Sequence, residues 1–513
     1  MEVNIFLNDY VQKLIEYIDI IKSNDIEYQI YIPSIDLIDN KYQAVMSITP
    51  NILLDIHTLE TLINLPMYNI INFELSLIDQ PTQIYFSFDI SPSTRLIQLL
   101  PDVLTYKILL TLDEEDIINT CHSSPYLEHI CLSDNFWRLK FIQDFGHSPP
   151  NARENDSMQD VYHASNNLLG FGRNLMGELA NVNINHEIKM NNRSFKVKYV
   201  ACGSYHSLIT DIYDNAWAFG SNNDGELGIG KSIGYTLDPI QVTIPSLESK
   251  IIPLRAKMIS CSSKNSMVID AKNNVWVFGS NNNGQIGLGD LKDSFLPVKI
   301  MINDEPMQAL HISAGFNNSF IVDLENNVWA SGKNLNSEFN LNFPSSIRSF
   351  NQVIINNSPF KAKSIIHGNY YAMAIDMNDN LWLFSYHGII NVSNVHEFYT
   401  ESGPIKAKFI VPQATNPLFI NQEDNLCTLQ YYSTGLKMIK VEVNGIPFKA
   451  KYAAASMGKF LAIDFDNNVW GYGVNSYGVL GLSKNVISEL TPLNIKAHSL
   501  AIGDNHSLMI SHY

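Results

Sequence analysis

Asn273-Asn274-Val275-Trp276-Val277-Phe278-Gly279-Ser280-Asn281-Asn282-Asn283-Gly284-Gln285-Ile286-Gly287-Leu288-Gly289 is the stretch whose reading decides the fold. Its first half is a short β-rich run around Trp276, the composition and length of a strand. Another apolar run, Ser266-Met267-Val268-Ile269-Asp270, stands just ahead of it. The Asn pair between them tolerates positive φ in a tight turn, so the two runs read as a hairpin. The second half sets glycines at 279, 284, 287 and 289, which demands a loop of unusual backbone angles pressed close to its neighbours.

The phrase recurs. Trp217, Trp276, Trp329, Trp382 and Trp470 each follow an Asx pair, and Cys427 holds that place in a degraded copy, Asp424-Asn425-Leu426-Cys427. Leu168-Leu169-Gly170-Phe171-Gly172 opens the series. From Trp217 onward the equivalent positions lie 43 to 59 residues apart, the size of a propeller blade. The glycine loop returns from Gly172 to Gly177, from Gly220 to Gly225 and from Gly473 to Gly478. Gly220, Gly225, Gly279, Gly284, Gly473, Gly478 and the five tryptophans are therefore assigned to the architecture of the repeat. No Gly-Lys-Ser/Thr follows any loop, so a phosphate cradle is rejected.

The repeat resembles that of the chromosome-condensation-regulator family. The family's G-x-N-x-x-G-Q-L-G loop is matched above, and its A-x-G-x-x-H-S strand by Ala201-Cys202-Gly203-Ser204-Tyr205-His206-Ser207 and Ala501-Ile502-Gly503-Asp504-Asn505-His506-Ser507. The resemblance covers residues 166–513 and implies a β-propeller. The array opens on a Trp-type strand and ends on a Gly-x-x-His strand, with seven of each half. The last half-repeat can thus complete the first, protecting strand edges that would otherwise template aggregation. The expected fold is mainly β, a seven-bladed propeller. Tyr386–Asn391 and Tyr431–Met438 lose the glycine loop, and Ala414–Leu418 interrupts a Gly-x-x-His strand, so blades four to six depart from the pattern.

Ahead of the propeller, residues 96–145 read as a helical module. Leu104, Ile108 and Leu112 share a helix face, and Pro101 suits a first helical turn. The module resembles the F-box: Leu100-Pro101-Asp102-Val103-Leu104 matches its opening, Ile108-Leu109-Leu110 its apolar middle, Asp116-Ile117 its turn, and Trp137-Arg138-Leu139 its close. Asp102 replaces the usual Glu, and Pro125-Tyr126 stands where the family tends to have Arg-x-Trp. The resemblance implies docking onto the adaptor of a cullin-type ubiquitin ligase through apolar residues among Leu100, Pro101, Leu104, Ile108, Leu109, Leu112, Ile117 and Trp137. The plain alternative is a three-helix connector around Trp137. Residues 1–95 read as a small α+β region, with a helical stripe from Tyr10 to Ile21 and strand-like runs such as Gln83–Phe88. Residues 146–165, carrying Pro149-Pro150, read as a linker.

Charge and composition narrow the functional classes. Residues 1–165 carry 8 Lys and Arg against 24 Asp and Glu, whereas 166–513 carry 26 against 27. Nucleic acid needs a basic surface, so it is disfavoured as a partner. Five scattered cysteines, none in C-x-x-C, suggest a reducing intracellular compartment, cytoplasmic or nuclear, without a disulfide framework or zinc site. Neither an eighteen-residue apolar run nor a secretory leader is evident, so no membrane partner is expected. His206 and His506 have Asn265, Asn318, Tyr371, Asn416 and Lys459 at equivalent positions, which favours structural hydrogen bonding over catalysis or metal binding. Asp464, Asp466 and Asn468 are spaced faintly like a calcium loop but lack its Gly and Glu, so turn chemistry explains them better. Paired cations at 196/198, 255/257, 361/363, 406/408 and 449/451 sit two apart on a strand face and read as edge protection, the alternative being a basic ring for an acidic partner. No catalytic constellation and no cofactor site is nominated.

Taken together, the two resemblances imply a non-catalytic substrate receptor. The F-box docks adaptor and cullin, and the propeller holds an unidentified protein target. Guanine-nucleotide exchange on a small GTPase, the activity of the family's founding member, is the alternative, and a ligase-independent scaffold a third. The wealth of Ile, Asn, Asp and Tyr, with this pairing of modules, resembles proteins of giant DNA viruses of amoebae.

Overall fold

The computed structural model describes the backbone of 29–31, 35–38, 41–49, 77–78 and 83–88. From 109 to 512 it describes all but several connecting stretches, the longest being 334–345 and 385–395. The chain divides into two compact units, Met1–Asp160 and Val161–Tyr513.

In the first unit, Lys41–Thr49 lies at the centre of a five-stranded antiparallel sheet, pairing with Gln29–Tyr31, Ile35–Ile38 and Gln83–Phe88. Leu77–Ile78 adds to the far side of Gln83–Phe88. The expected strand at Gln83–Phe88 is therefore present. The stripe from Tyr10 to Ile21, and Leu100, Pro101, Leu104 and Ile108, lie outside the described residues.

Four helices with described bounds follow: α1 Glu114–His122, α2 Pro125–Cys131, α3 Asp134–Phe145 and α4 Met158–Ala164. Pro125 opens α2, where its missing amide hydrogen costs nothing. Phe136, Trp137 and Phe141 are buried along α3, and Trp137 Nε1 donates to Cys131 O at 2.6 Å. Two expectations are corrected here. The end of the supposed linker is helical, because Met158, Val161 and Tyr162 are apolar side chains that α4 buries. Cys121 and Cys131, expected to be unpaired, are disulfide-bonded with Cα atoms 6.2 Å apart, since α1 and α2 bring them together.

The second unit is mainly β after α4, a propeller-like arrangement of six large sheets among the described residues, with six two-stranded ribbons beside them. Five of the large sheets have four antiparallel strands in chain order. The second of them, for example, runs Ala256–Cys261, Asn265–Asp270, Val275–Gly279, Ser294–Lys299. The last has six strands, so strand pairing returns six large sheets where seven blades were expected. Val486–Ile502 is 17 residues long; Val486–Lys496 pairs with Asn468–Val474, and Ala497–Ile502 pairs with His506–Ser511. His506–Ser511 pairs in turn with Leu168–Gly172, so the end of the array completes its beginning.

A single device joins each sheet to the next. Asn166, Asp214, Asn273, Asn326, Asp379, Asp424 and Asn467 all have φ between 58° and 70°. Each accepts at its carbonyl an amide from, or just ahead of, the first strand of the next four-strand repeat: Val197, Ala256, Ala309, Ala362, Ala407, Ala450 and Ala497 respectively, the last of them within the six-stranded sheet. The Asx pairs were read as hairpin turns. They are also the stitches between sheets, which is why Asn and Asp, tolerant of the left-handed region, stand there.

The cores lie within and between the sheets. Phe219, Phe278, Phe320, Phe384 and Phe419 are fully buried, and clusters such as Leu208, Leu227, Val242, Ile259 and Phe278 draw on two sheets at once. In the fifth sheet the glycine loop is replaced by a tight hairpin, Tyr432 pairing with Gly435. The Tyr386–Asn391 stretch lies outside the described residues.

Candidate functional site

The repeat residues occupy three layers, and each layer's chemistry shows whether it is committed to the fold. One is the turn ahead of each tryptophan. Asp270 Oδ1 accepts the amides of Lys272 and Asn274; its Oδ2 accepts Asn274 Nδ2 and Trp276 Nε1, both at 2.9 Å. Trp217, Trp329, Trp382 and Trp470 donate likewise to Asp211, Asp323, Asp376 and Asp464. Burial works to raise the Asp270 and Asp464 carboxyls, but the donated hydrogen bonds outweigh it and hold both below the ordinary aspartate value. Asp464 has spent both oxygens on its turn, which accounts for the calcium-like spacing.

The paired cations belong to this layer too. Lys198, Lys257, Lys363, Lys408 and Lys451 each reach the Asx residue 16 positions on: Asp214, Asn273, Asp379, Asp424 and Asn467. They brace the stitching residue, a more specific task than shielding an edge. Leu310, exposed, takes the lysine's place before Asn326. Lys196 is buried and donates to the carbonyls of Tyr162, His163 and Ser165 and to Asn167 Oδ1.

The innermost layer holds the Gly-x-x-His strands. His206 Nε2 meets Ser266 Oγ at 3.0 Å, and Ser266 Oγ donates to Glu226 O. His506 Nε2 meets Ser207 Oγ at 2.9 Å, and Ser207 Oγ donates to Glu178 O. Each histidine therefore reaches a serine one sheet onward, and that serine holds the glycine loop of the histidine's own sheet. Burial pushes both imidazoles down to about 3, so they stay neutral. They act as structural hydrogen-bonding groups, as their variability among repeats suggested. Among the described residues, no group of three or more His, Cys, Asp or Glu could hold a metal ion, and no helix is long and apolar enough to cross a membrane.

Glycine loops form the third layer. A Cβ on Gly279, whose φ is +101°, would lie 2.5 Å from Lys264 O. One on Gly284 would lie 2.8 Å from Ile347 O, in the outer strand of the next sheet. Gly220 and Gly473 repeat the first situation and Gly225 the second, whereas a Cβ on Gly478 would meet nothing within 4 Å. Beside these loops stand exposed apolar and aromatic side chains: Leu175 at 69%, Phe316 at 57%, Met457 at 56% and Tyr477 at 64%. Sequence reasoning singled out none of them, because they fall at the variable positions of the repeat.

In the helical module, Leu109, Ile117 and Trp137 are buried, and Leu112 is partly buried. The first three serve the module's own core. These three, expected among the adaptor-facing residues, present no exposed surface. Leu132, Leu139 and Ile142 are exposed instead, the latter two three residues apart on one face of α3.

Comparison with known proteins agrees with this architecture. The family described as Regulator of chromosome condensation (RCC1) repeat matches residues 272–322, and a second description of the same repeat matches 257–285. The human protein named probable E3 ubiquitin-protein ligase HERC6 is 33% identical over 150 residues, 28% of this chain and 14% of its own length. Human X-linked retinitis pigmentosa GTPase regulator is 27% identical over 31% of this chain and 15% of its own. Protein RCC2 homolog of Xenopus laevis is 29% identical over 27% of this chain and 26% of its own. The chain thus spans only a minor part of these relatives. Among solved structures, human WBSCR16 superposes with a TM-score of 0.57 at 15% identity, covering 68% of this chain and all of that one. Prp20p of Saccharomyces cerevisiae, described with its binding to Gsp1p and histones, gives 0.53 at 15% identity, over 71% of this chain and 95% of its own. The chain carries RCC1-type repeats in a propeller-like fold.

Proposed function

We propose that this protein is the target-binding subunit of a cullin-type ubiquitin ligase, its helical module (residues 96–145) docking the adaptor and its propeller, counted as seven blades, holding a protein target. The observation that carries the reading is the pairing, in one chain, of a helical module with exposed apolar side chains and a propeller whose polar groups are spent on its own fold. The count of seven rests on the seven Asx stitches and on treating Val486–Ile502 as the strand shared by two blades. Leu132, Leu139 and Ile142 supply spaced apolar anchors of the kind a helix-docking groove accepts.

The chain itself does no chemistry in this scheme; the assembled ligase modifies the target. A ubiquitin thioester formed on the purified chain would overturn that part. The main test is co-purification of the full chain with adaptor and cullin. Association lost on deleting residues 96–145, and weakened at least about tenfold by Leu139→Glu, supports the reading; association indifferent to both changes refutes it.

A second reading, guanine-nucleotide exchange on a small GTPase, is favoured by the fold likeness to Prp20p and the partial match to a GTPase regulator. Accelerated nucleotide release from a panel of small GTPases is its readout. Within the first reading we place the chain among proteins of giant DNA viruses that redirect a host ligase. A genomic locus interrupted by spliceosomal introns would remove that assignment.

A further inference from the structure

Two sister loops of the propeller carry different residues after their first glycine, and that difference leaves a buried acid half-satisfied. In the loop beginning at Gly220, Ser221 Oγ donates to Glu226 Oε1 at 2.9 Å and Asp224 N donates to Glu226 Oε2 at 2.8 Å. In the loop beginning at Gly172, Arg173 stands where Ser221 does. Glu178 keeps the second bond, from Met176 N at 2.7 Å. Its Oε1, however, is buried with no partner, and so is Arg173 Nε. A buried polar atom without a partner is costly, and a loop built only for architecture would keep the serine.

What the arginine gains is a place between two rings. Its guanidinium lies 5.9 Å from the centre of Tyr205, in the loop joining Val197–Cys202 to His206–Asp211. It lies 5.5 Å from the centre of Tyr477, which follows Asn468–Val474. Arg173 N donates to Asn505 O, so the cluster sits on the seam where the array's end meets its beginning. No hydrogen bond or ion pair engages the guanidinium among the described residues. Aromatic faces hold an arginine by its cation and its plane and leave the in-plane N–H groups free, a fork that matches the two oxygens of a carboxylate. Leu175 and Tyr477, both largely exposed, give the site an apolar rim.

We propose that this seam binds an Asp or Glu side chain of a partner protein, presented beside an apolar residue, with the Arg173 guanidinium as its anchor. The surroundings suit a single carboxylate better than a polyanion. Asp504 contributes negative charge to the same seam, its carboxylate accepting from Ser204 and Ser456, and Lys459 is already committed to Asp504 O. Among the described residues of the seam, nucleic acid or a dianionic phosphate would meet that negative charge with Arg173 to set against it, a cation whose charge also acts on Glu178. The inference rests on the reading that this unit binds proteins.

The test is panning a random dodecapeptide phage library on the full chain, followed by affinity measurements on synthetic versions of the enriched peptides. The expected peptides carry Asp or Glu next to Leu, Ile, Phe or Met. They lose at least about tenfold in affinity against Arg173→Gln, and lose affinity against Arg173→Lys, which keeps the charge without the fork. Tyr477→Ala, a change at an exposed ring, weakens the same peptides, and unchanged thermal unfolding of each variant excludes a folding defect. Peptides that bind Arg173→Gln as well as the parent overturn the site while leaving a protein-binding propeller standing. Recovery of no binding peptide, together with failed adaptor co-purification, removes both. Binding of a labelled oligonucleotide or phosphopeptide that requires Arg173, in place of carboxylate peptides, overturns the ligand class.

Discussion

The second and fifth sheets were built from the same repeat and have kept different amounts of it. In the second, Asp270 receives four donors, two backbone amides of its turn and the side chains of Asn274 and Trp276. In the fifth, Cys427 stands in place of the tryptophan and Asn421 in place of the aspartate. Asn421 Oδ1 still accepts the amides of Glu423 and Asn425, while Asn425 Nδ2 has moved to Glu423 Oε2. One oxygen suffices for the turn. The second meets the indole N–H and the neighbouring Asn side chain; where the indole is absent that Asn turns to Glu423, and the carboxylate and the tryptophan are lost together.

Four measurements break or sharpen that comparison. The largest effect is expected from Gly279→Ala, because an L side chain is strained at φ +101° and its Cβ would press on Lys264 O. A loss of more than about 3 kcal/mol in urea-induced unfolding is anticipated. The fifth sheet has Gln430 at the equivalent position and closes by a hairpin instead, so the demand is local to the loop-bearing sheets.

Next comes Asp270→Asn, which leaves the Trp276 N–H without an acceptor and should cost about 1.5–3 kcal/mol. Asn421→Asp, where no indole waits, should change stability by less than about 0.5 kcal/mol. Equal costs for the two would dissolve the link between acid and indole.

Third is a pH dependence. The folded value of Asp270 is depressed below 3.8, so its contribution is present above 3.8 and fades as the pH falls through the depressed folded value. The stability gap between the parent and Asp270→Asn should therefore narrow on acidification below pH 3.8, whereas the Asn421→Asp pair should show no comparable narrowing.

The smallest effect belongs to Lys363→Met. Its partner Asp379 and the lysine are both about two-fifths exposed, so about 0.5 kcal/mol or less is expected, shrinking further in salt. A loss above about 2 kcal/mol would mean that the brace, and not the backbone stitch, holds the sheets together.

Much of the architecture could be read from the chain because tryptophan and glycine mark it at each copy. The aspartate six positions ahead of each Trp was visible too, at 211, 270, 323, 376 and 464, but its meaning was not. Nothing in a linear pattern says that two oxygens serve two different donors. The 16-residue offset from lysine to Asx was hidden in the same way, since strand-face spacing explains a lysine pair without naming its partner. In the helical module, apolar residues that build a core and apolar residues that meet a partner have the same chemistry. Only enclosure separates Ile117 and Trp137 from Leu139 and Ile142. The Arg173 site escaped notice because it is defined by a departure from the repeat, and a departure gains meaning only when its neighbours are seen to go unpaired.

Because His506–Ser511 pairs with Leu168–Gly172, the opening strand waits for one made 334 residues later, counting from Gly172 to His506. At ribosomal speeds of about 5–20 residues per second, that is a delay of roughly 20–70 s. During this interval Leu168–Gly172 is a half-finished edge with an apolar face. A nascent chain of this kind has reason to engage a chaperone, and translation stalled just short of residue 506 would release a ring that cannot shut.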